Sequence, residues 1–337
     1  MLTDSHQRPL QDLRISVTDR CNFRCLYCMP LDEYEWIERS AILSYEEIAR
    51  LARLFARLGA DKIRLTGGEP LVRHNLEELV GKLAAIDRVS DICLTTNGAL
   101  LASKARALKE AGLHRINVSL DTLKPERFRA ITQRGDLGQV LEGLQAAKAQ
   151  GFRPIKINAV IERGVNDDEI VDLVEFGREN GFGVRFIEYM DVGNANNWKS
   201  SKLVSKQEIL SLVGRHVALR EVGRANGSAP AVDYSGADGS VDVGVIASVT
   251  EPFCGSCTRA RLTADGKLVT CLFSNEGHDL KKLLREGATD EEILQTVRAI
   301  WSARRDRYSE ERWQALNSIE GYQPEKHKKI EMISLGG

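Results

Sequence analysis

The chain has 337 residues, enough for one large domain or two moderate ones around a buried core. Hydrophobic residues make up 42%, charged residues 28%, and the net charge is −1. Nothing global therefore points to nucleic acid or an anionic membrane, and an anionic substrate must be held by a local cluster of Lys and Arg. No apolar stretch approaches a membrane span, and residues 1–11 are polar with no apolar signal core, so the expected compartment is cytoplasmic.

In chain order, the first strand is expected at residues 13–18, running directly into Cys21, Cys25 and Cys28. Ser44 followed by Glu47 is a capping box; Ile48, Leu51, Ala52, Phe55 and Leu58 make one apolar helix face, and Gly59 ends it. Further strands are expected at 62–66, 91–96, 115–120, 154–161 and 183–189, with Asn75/Glu78 and Asn166/Glu169 opening later helices in the same way. Strands separated by helical crossovers pair in parallel. Six such units suit a doubly wound sheet or an incomplete barrel, and in both the chemistry gathers at the C-terminal strand ends. Residues 19–28, 67–70, Asn97-Gly98, Asp121 and Met190 fall at those ends. Beyond them a helix is expected over 199–214, and 221–240, rich in Gly, Ala and Ser, reads as a flexible connection. Residues 241–246 and 260–272 read as antiparallel strands, with Asp265-Gly266 as a two-residue turn that brings Cys271 opposite Ala260. Helices are expected near 278–286 and 290–304, and no internal repeat stands out.

Seven cysteines, six of them in two tight groups, point to metal or redox chemistry and not to a disulfide framework. Cys93, alone in an apolar run, reads as a packed thiol. Cys21, Cys25 and Cys28 fall within eight residues with no fourth ligand nearby, and a vacant metal position is what separates catalytic from structural sites. The plainer alternative is a zinc knuckle completed by His74 or His114, neither of which has ligand-like spacing to the loop. This Cys-x3-Cys-x2-Cys loop resembles that of the radical S-adenosylmethionine superfamily. The resemblance implies a [4Fe-4S] cluster whose open iron chelates the amino and carboxylate groups of S-adenosylmethionine. Its electron breaks the sulfonium C–S bond to give a 5′-deoxyadenosyl radical, while the protein positions the cofactor and excludes water. Tyr27 would then lie near the adenine. Gly67-Gly68-Glu69-Pro70 would meet the methionine ammonium, and Asn97-Gly98, Ser119 and Met190 would complete the nucleoside pocket. Taken singly, each of these is more often structural.

The second trio, Cys254, Cys257 and Cys271, could hold a structural zinc together with His278. Arg259 and Arg261 weigh against that: two apart on a strand they share a face, and paired guanidiniums repel unless an anion sits between them. Arg14, Arg64 and Lys156 lie on strands or at their ends, where an inward basic side chain needs a partner. The bland reading makes most of these solvated surface charges.

The segments Leu13-Arg14-Ile15-Ser16-Val17-Thr18-Asp19-Arg20-Cys21, Arg64-Leu65-Thr66-Gly67-Gly68-Glu69-Pro70-Leu71, Cys254-x2-Cys257-x-Arg259-x-Arg261 and the terminal Gly336-Gly337 together resemble the GTP 3′,8-cyclase family, over essentially the whole chain. The resemblance implies an α/β fold: an incomplete (β/α)6-type parallel barrel over 1–220, then a C-terminal antiparallel extension over 221–337 with the second cluster and a glycine-ended tail. It implies two [4Fe-4S] clusters, the second on Cys254, Cys257 and Cys271 with its open iron on guanine. Arg14, Arg64, Thr95, Lys156, Arg259, Ala260 and Arg261 would bind GTP, and Tyr27, Gly68, Ser119 and Met190 would bind S-adenosylmethionine. Cys21, Cys25, Cys28, Arg259 and Arg261 would form the catalytic set. The implied reaction removes hydrogen from C3′ of GTP and joins that carbon to C8, giving 3′,8-cyclo-7,8-dihydro-GTP, the first step of molybdenum cofactor biosynthesis. Implied partners are a flavodoxin- or ferredoxin-like electron donor and, downstream, cyclic pyranopterin monophosphate synthase, with the enzyme a monomer or homodimer. Gly336-Gly337 either frays in solvent or threads toward the site. Two other readings are a radical enzyme acting on a peptide, and a non-catalytic iron–sulfur or zinc protein.

Overall fold

The computed structural model describes residues 1–29, 34–237, 239, 241–318 and 321–336. Strands β1 (Asp12–Ser16), β2 (Lys62–Thr66), β3 (Asp91–Thr96), β4 (Arg115–Ser119), β5 (Ile155–Ile161) and β6 (Gly183–Glu188) pair in parallel in chain order. Helices α1 (Tyr45–Leu58), α2 (Leu76–Ala84), α3 (Leu101–Glu110), α4 (Pro125–Thr132), α5 (Leu137–Ala149) and α6 (Ile170–Asn180) occupy the crossovers. The alternation along each strand separates two faces. Leu13, Ile15, Ile63, Leu65, Ile92, Leu94, Ile116 and Val118 join the apolar sides of α1, α2, α3 and α5 in one continuous core. Their neighbours Arg14, Arg64, Thr95, Asn117 and Ser119 point the other way, into a cavity. A doubly wound sheet would need an apolar second face; here that face is polar and cationic.

Later segments extend both edges. After α7 (Lys206–Gly214) come β7 (Leu219–Gly223), β8 (Val232–Gly236) and β9 (Asp242–Ile246), with β9 parallel to β6 and antiparallel to β8. At the other edge β10 (Arg259–Leu262) lies parallel to β1 and is followed by antiparallel β11 (Lys267–Val269) and β12 (His278–Asp279). Helices α8 (Leu280–Arg285), α9 (Asp290–Ser302), α10 (Tyr308–Leu316) and α11 (Met332–Leu335) complete the described chain.

The capping box at Ser44 and Glu47 forms as expected. Asn75 and Asn166 do not cap: Asn75 adopts a left-handed conformation with no capping bond, and Asn166 donates instead to the Asp121 and Val160 carbonyls. The helix expected over 199–214 is split. Ser200–Lys202 form one turn, Leu203 bridges to Glu162, and a second capping box, Ser205 with Glu208, starts α7. The segment 221–240 is not simply a loose connection: its two ends contribute to the β7–β8 ribbon, in which buried Val232 and Tyr234 alternate with Asp233 and Ser235. The β10–β11 turn contains three residues: Thr263 and Lys267 close it, with Gly266 at φ +82°. Arg261 therefore faces Val269, and Cys271 stands one position away from the place opposite Ala260.

One buried cluster ties the C-terminal segment to the end of β6. Asp191 accepts from Tyr308, Tyr322 and Arg312 and pairs with Lys329 at 2.8 Å. Burial pushes the Asp191 carboxyl up, but the Arg312 guanidinium and Lys329 ammonium outweigh it and hold it below the usual carboxylate range. Its stabilisation is thus present above the unfolded carboxylate pKa and lost as pH falls through the lower folded value. Replacing Asp191 by Ala strands two buried cations, and urea unfolding should show a loss of about 3–5 kcal/mol; an unchanged midpoint would contradict the role given to this cluster.

Candidate active site

The first cysteine loop leaves β1 and is fixed from three sides. Gly68 N donates to Thr18 O at 2.7 Å and Glu69 N to Arg20 O at 2.7 Å, lashing the end of β2 to the loop's entry. A Cβ on Gly68 would fall 2.3 Å from Arg20 O, backbone against backbone, so only glycine fits. Arg24 N and Leu26 N donate to carbonyls at the end of α4, at 2.9 and 3.2 Å. Asn97, after β3, donates to Asn22 at 2.8 Å. Glu69 accepts from Leu71 N, Asn97 N and Thr96 Oγ1, although burial pushes its carboxyl up to about 7. Tyr27 donates to Asp121 at 2.7 Å, and Val160 N holds the other Asp121 oxygen at 2.8 Å.

All the cysteines are free thiols. Burial pushes Cys21 up to about 11 and Cys28 up to about 12, and burial with the neighbouring Cys28 raises Cys25 well above the usual thiol range. Three half-buried thiols that resist ionisation next to one another suit a polycationic group, which would favour their thiolates. Among the described residues no three His, Cys, Asp or Glu side chains converge as ligands of a single metal ion. Three neighbouring thiols with no fourth ligand in the loop are a donor set that an iron–sulfur cluster fits. His278, the proposed zinc partner of the second trio, is exposed on β12, and His114 instead accepts from Ile92 N.

The second trio lies at the other edge of β1. Cys254–Ser256 form one turn leading into β10, and Cys271 follows β11. Burial pushes Cys257 up, but Arg259 and Arg304 outweigh it and bring this thiol down to about 6; burial takes Cys271 to about 12. Arg304 donates to Cys257 Sγ at 3.2 Å and to its carbonyl at 2.9 Å, and Arg8 donates to Cys254 O at 2.9 Å. Both arginines are buried and anchored by Asp4.

Both trios line one cavity of ≈300 Å³. Between them, register sets Arg261, Arg14 and Arg64 side by side across β10, β1 and β2. Arg259 joins them from the same face of β10, and among the described residues no carboxylate pairs with any of the four. Burial, then Arg261, Arg64 and Arg259, hold Arg14 well below the usual arginine range; burial and Arg259 bring Arg261 to about 10. Like charges on adjacent strands repel, and side-by-side guanidiniums of this kind can take a polyanion between them. Arg261 also donates to Gly336 O at 3.1 Å, so the tail threads to the arginines. A Cβ on Gly336 would lie 2.3 Å from Thr66 Cγ2, and its φ is +69°. Gly337 lies outside the described residues.

Tyr27, Gly68, Ser119, Met190, Arg14, Arg64, Thr95, Arg259 and Arg261 all line this cavity. Lys156 does not; its ammonium stands 3.9 Å from Asp233 and from Asp242. Ala260 is buried in the helix-side core. Arg185, Asn117 and Asn158 line the cavity too, although the sequence reading passed over them. The alternation that exposes Arg14 and Arg64 to it would have found them.

The model for the radical SAM superfamily matches residues 15–177, and that for Molybdenum Cofactor Synthesis C matches residues 182–310. Proteins named GTP 3′,8-cyclase align from end to end. The one from Acidothermus cellulolyticus is 46% identical over 100% of this chain and 99% of its own; the one from Aquifex aeolicus is 45% identical over 100% of both. The chain belongs to the GTP 3′,8-cyclase family. The mixed α/β fold with its parallel sheet is shared with Streptococcus suis SuiB. The crystal structure of SuiB bound to S-adenosylmethionine superposes with a TM-score of 0.62 at 16% identity, covering 87% of this chain and 68% of SuiB. SuiB bound to its precursor peptide SuiA gives 0.61, covering 64% of that chain. In this family member, replacing Gly68 by Ala must displace the first cysteine loop. Anaerobically reconstituted Gly68→Ala should carry clearly less iron and sulfide than the parent, and equal content would show that the lashing of β2 to the loop is dispensable.

Proposed function

We infer that this chain catalyses the radical S-adenosylmethionine-dependent cyclisation of GTP to 3′,8-cyclo-7,8-dihydro-GTP in molybdenum cofactor biosynthesis. The observation that carries the reading is two three-cysteine sites facing one cavity across a row of arginines with which, among the described residues, no carboxylate pairs.

In this reading Cys21, Cys25 and Cys28 hold one [4Fe-4S] cluster, and Cys254, Cys257 and Cys271 hold a second. When bound, the first cluster with S-adenosylmethionine supplies the radical that removes hydrogen from C3′. The protein's own residues orient and enclose. Tyr27, fixed through Asp121, Gly68, Ser119 and Met190 form the S-adenosylmethionine side of the cavity. Arg14, Arg64, Arg259 and Arg261 take the triphosphate and Thr95 contacts the GTP beside them; Lys156, near Asp233 and Asp242 outside the cavity lining, and the backbone at Ala260 would join them only through a shift toward the bound nucleotide. Joining C3′ to C8 folds one molecule onto itself, so base and triphosphate both need anchors for the two carbons to meet in one geometry. The Gly336 tail, seated beside Thr66 and Arg261, closes the arginine side against water.

We read the architecture as a (β/α)6 partial barrel over 1–220, with an auxiliary-cluster extension over 221–337 that ends in the glycine tail. The electron donor in this account is a flavodoxin- or ferredoxin-like protein, and the product passes to cyclic pyranopterin monophosphate synthase. The enzyme would work in the cytoplasm as monomer or homodimer; no helix among the described residues is long and apolar enough to cross a membrane.

The test is anaerobic incubation of the reconstituted enzyme with S-adenosylmethionine, reductant and GTP. Cleavage of S-adenosylmethionine should depend on GTP, and a mass spectrum should show a product isomeric with GTP. GTP-independent cleavage with no such product would overturn the reading. Arg259→Ala and Arg261→Ala should each weaken GTP binding by about tenfold or more, as for loss of a charge-assisted contact.

A further inference from the structure

Two glycines open a path from the C-terminal strands to the cationic face of the sheet. Across β6, β9 and β8, register sets Arg185, Gly244 and Asp233 in one row. A Cβ on Gly244 would lie 2.6 Å from Asp233 Oδ1 and 3.2 Å from Arg185 Cγ, so Asp233 reaches Arg185 only because the intervening residue has no side chain. The neighbouring row repeats the device. Lys156 faces Gly183 across β5 and β6, and a Cβ there would lie 2.7 Å from Asp242 Oδ2 and 3.6 Å from Lys156 Cγ.

The resulting contacts are long. Asp233 Oδ2 stands 3.6 Å from Arg185 Nη2 and 3.9 Å from Lys156 Nζ, beyond hydrogen-bond reach. Arg185 Nε and Asp233 Oδ1 are both buried without a hydrogen-bond partner among the described residues. A permanent structural pair closes to a fork that satisfies both groups; this one compensates charge and leaves donors and acceptor unspent. Arg185 lines the cavity and Asp233 does not.

We propose that Asp233 is a positioning residue for nucleotide binding: it holds Arg185 charged and drawn back against the wall, and releases it to the phosphate oxygens when the triphosphate enters. Asp233 thereby competes with the substrate for Arg185 and steers the triphosphate first to the row of Arg14, Arg64 and Arg261. The proposal rests on the reading that the cavity's arginines receive the triphosphate.

Equilibrium binding of GTP, GDP and guanosine to the reconstituted enzyme tests it, with Asp233→Asn, Arg185→Gln and the double variant. Asp233→Asn should bind GTP about three- to tenfold tighter, in proportion to one removed competing charge, and the gain should shrink with added salt. GDP should gain less and guanosine nothing, a ranking that a merely structural role would not produce. On the Arg185→Gln background the gain should vanish. Unchanged or weaker GTP binding by folded Asp233→Asn, with Arg185→Gln still impaired, overturns the proposal and leaves the triphosphate reading intact. If Arg185→Gln binds GTP normally, the assignment of Arg185 to the triphosphate falls, and the proposal with it. Should Asp233→Asn not fold, Gly244→Ala, whose methyl displaces the carboxylate, must give a smaller gain of the same ranking; no gain overturns the proposal.

Discussion

Arg261, Arg14 and Arg64 stand in register on three adjacent strands, turned to the cavity side of the sheet, and among the described residues no carboxylate pairs with them. Such a row is repulsive within itself and expensive to desolvate. The fold tolerates it because the opposite face of the same strands is wholly apolar and packed under the helices. Each strand thus divides its residues between two faces: Ile15 and Leu65 stabilise the core, while Arg14 and Arg64 face the cavity and, in the proposed function, an anion. Stability and function are separated by one step along the chain.

The row exists only because distant segments meet. β10 joins β1 from near the end of the sequence and brings Arg259, Arg261 and the second cysteine trio to the first strand. Arg8 and Arg304, anchored on Asp4, bind the second cysteine loop to the N-terminal segment. The end of β6 is held by Asp191 to Arg312 and Lys329, and the chain beyond them returns to Arg261 through Gly336. Termini and site are one construction, and the two cysteine trios are held across a single cavity by backbone pairing together with anchored side chains such as Arg8, Arg304, Asn97 and Tyr27.

Much of this was legible beforehand. The six parallel strands, the Ser44 capping box, both cysteine trios and the Arg259/Arg261 pair follow from period, caps and spacing, which are local signals. What escaped notice depended on partners remote in sequence. Residues 232–236 alternate properly, yet their Gly, Ala and Ser surroundings mask a strand that is stabilised by pairing with β9. The β10–β11 register moved by one because Asp265-Gly266 serves a three-residue turn as well as a two-residue one. Asn166 looked like a cap but spends its amide on Asp121 and Val160, which only the tertiary fold brings near. Arg304 carries no local mark of its role beside Cys257, forty-seven residues earlier.

The central claim is that the arginine row is a polyanion receptor built into the sheet, and it can be tested without any catalytic step. The measurement is thermal unfolding of the reconstituted protein against inorganic triphosphate. A ligand that binds only the folded state must raise the midpoint progressively with its concentration. The account predicts that rise for the parent protein and its near loss when Arg14 is replaced by Gln. A midpoint indifferent to triphosphate at low salt would contradict it.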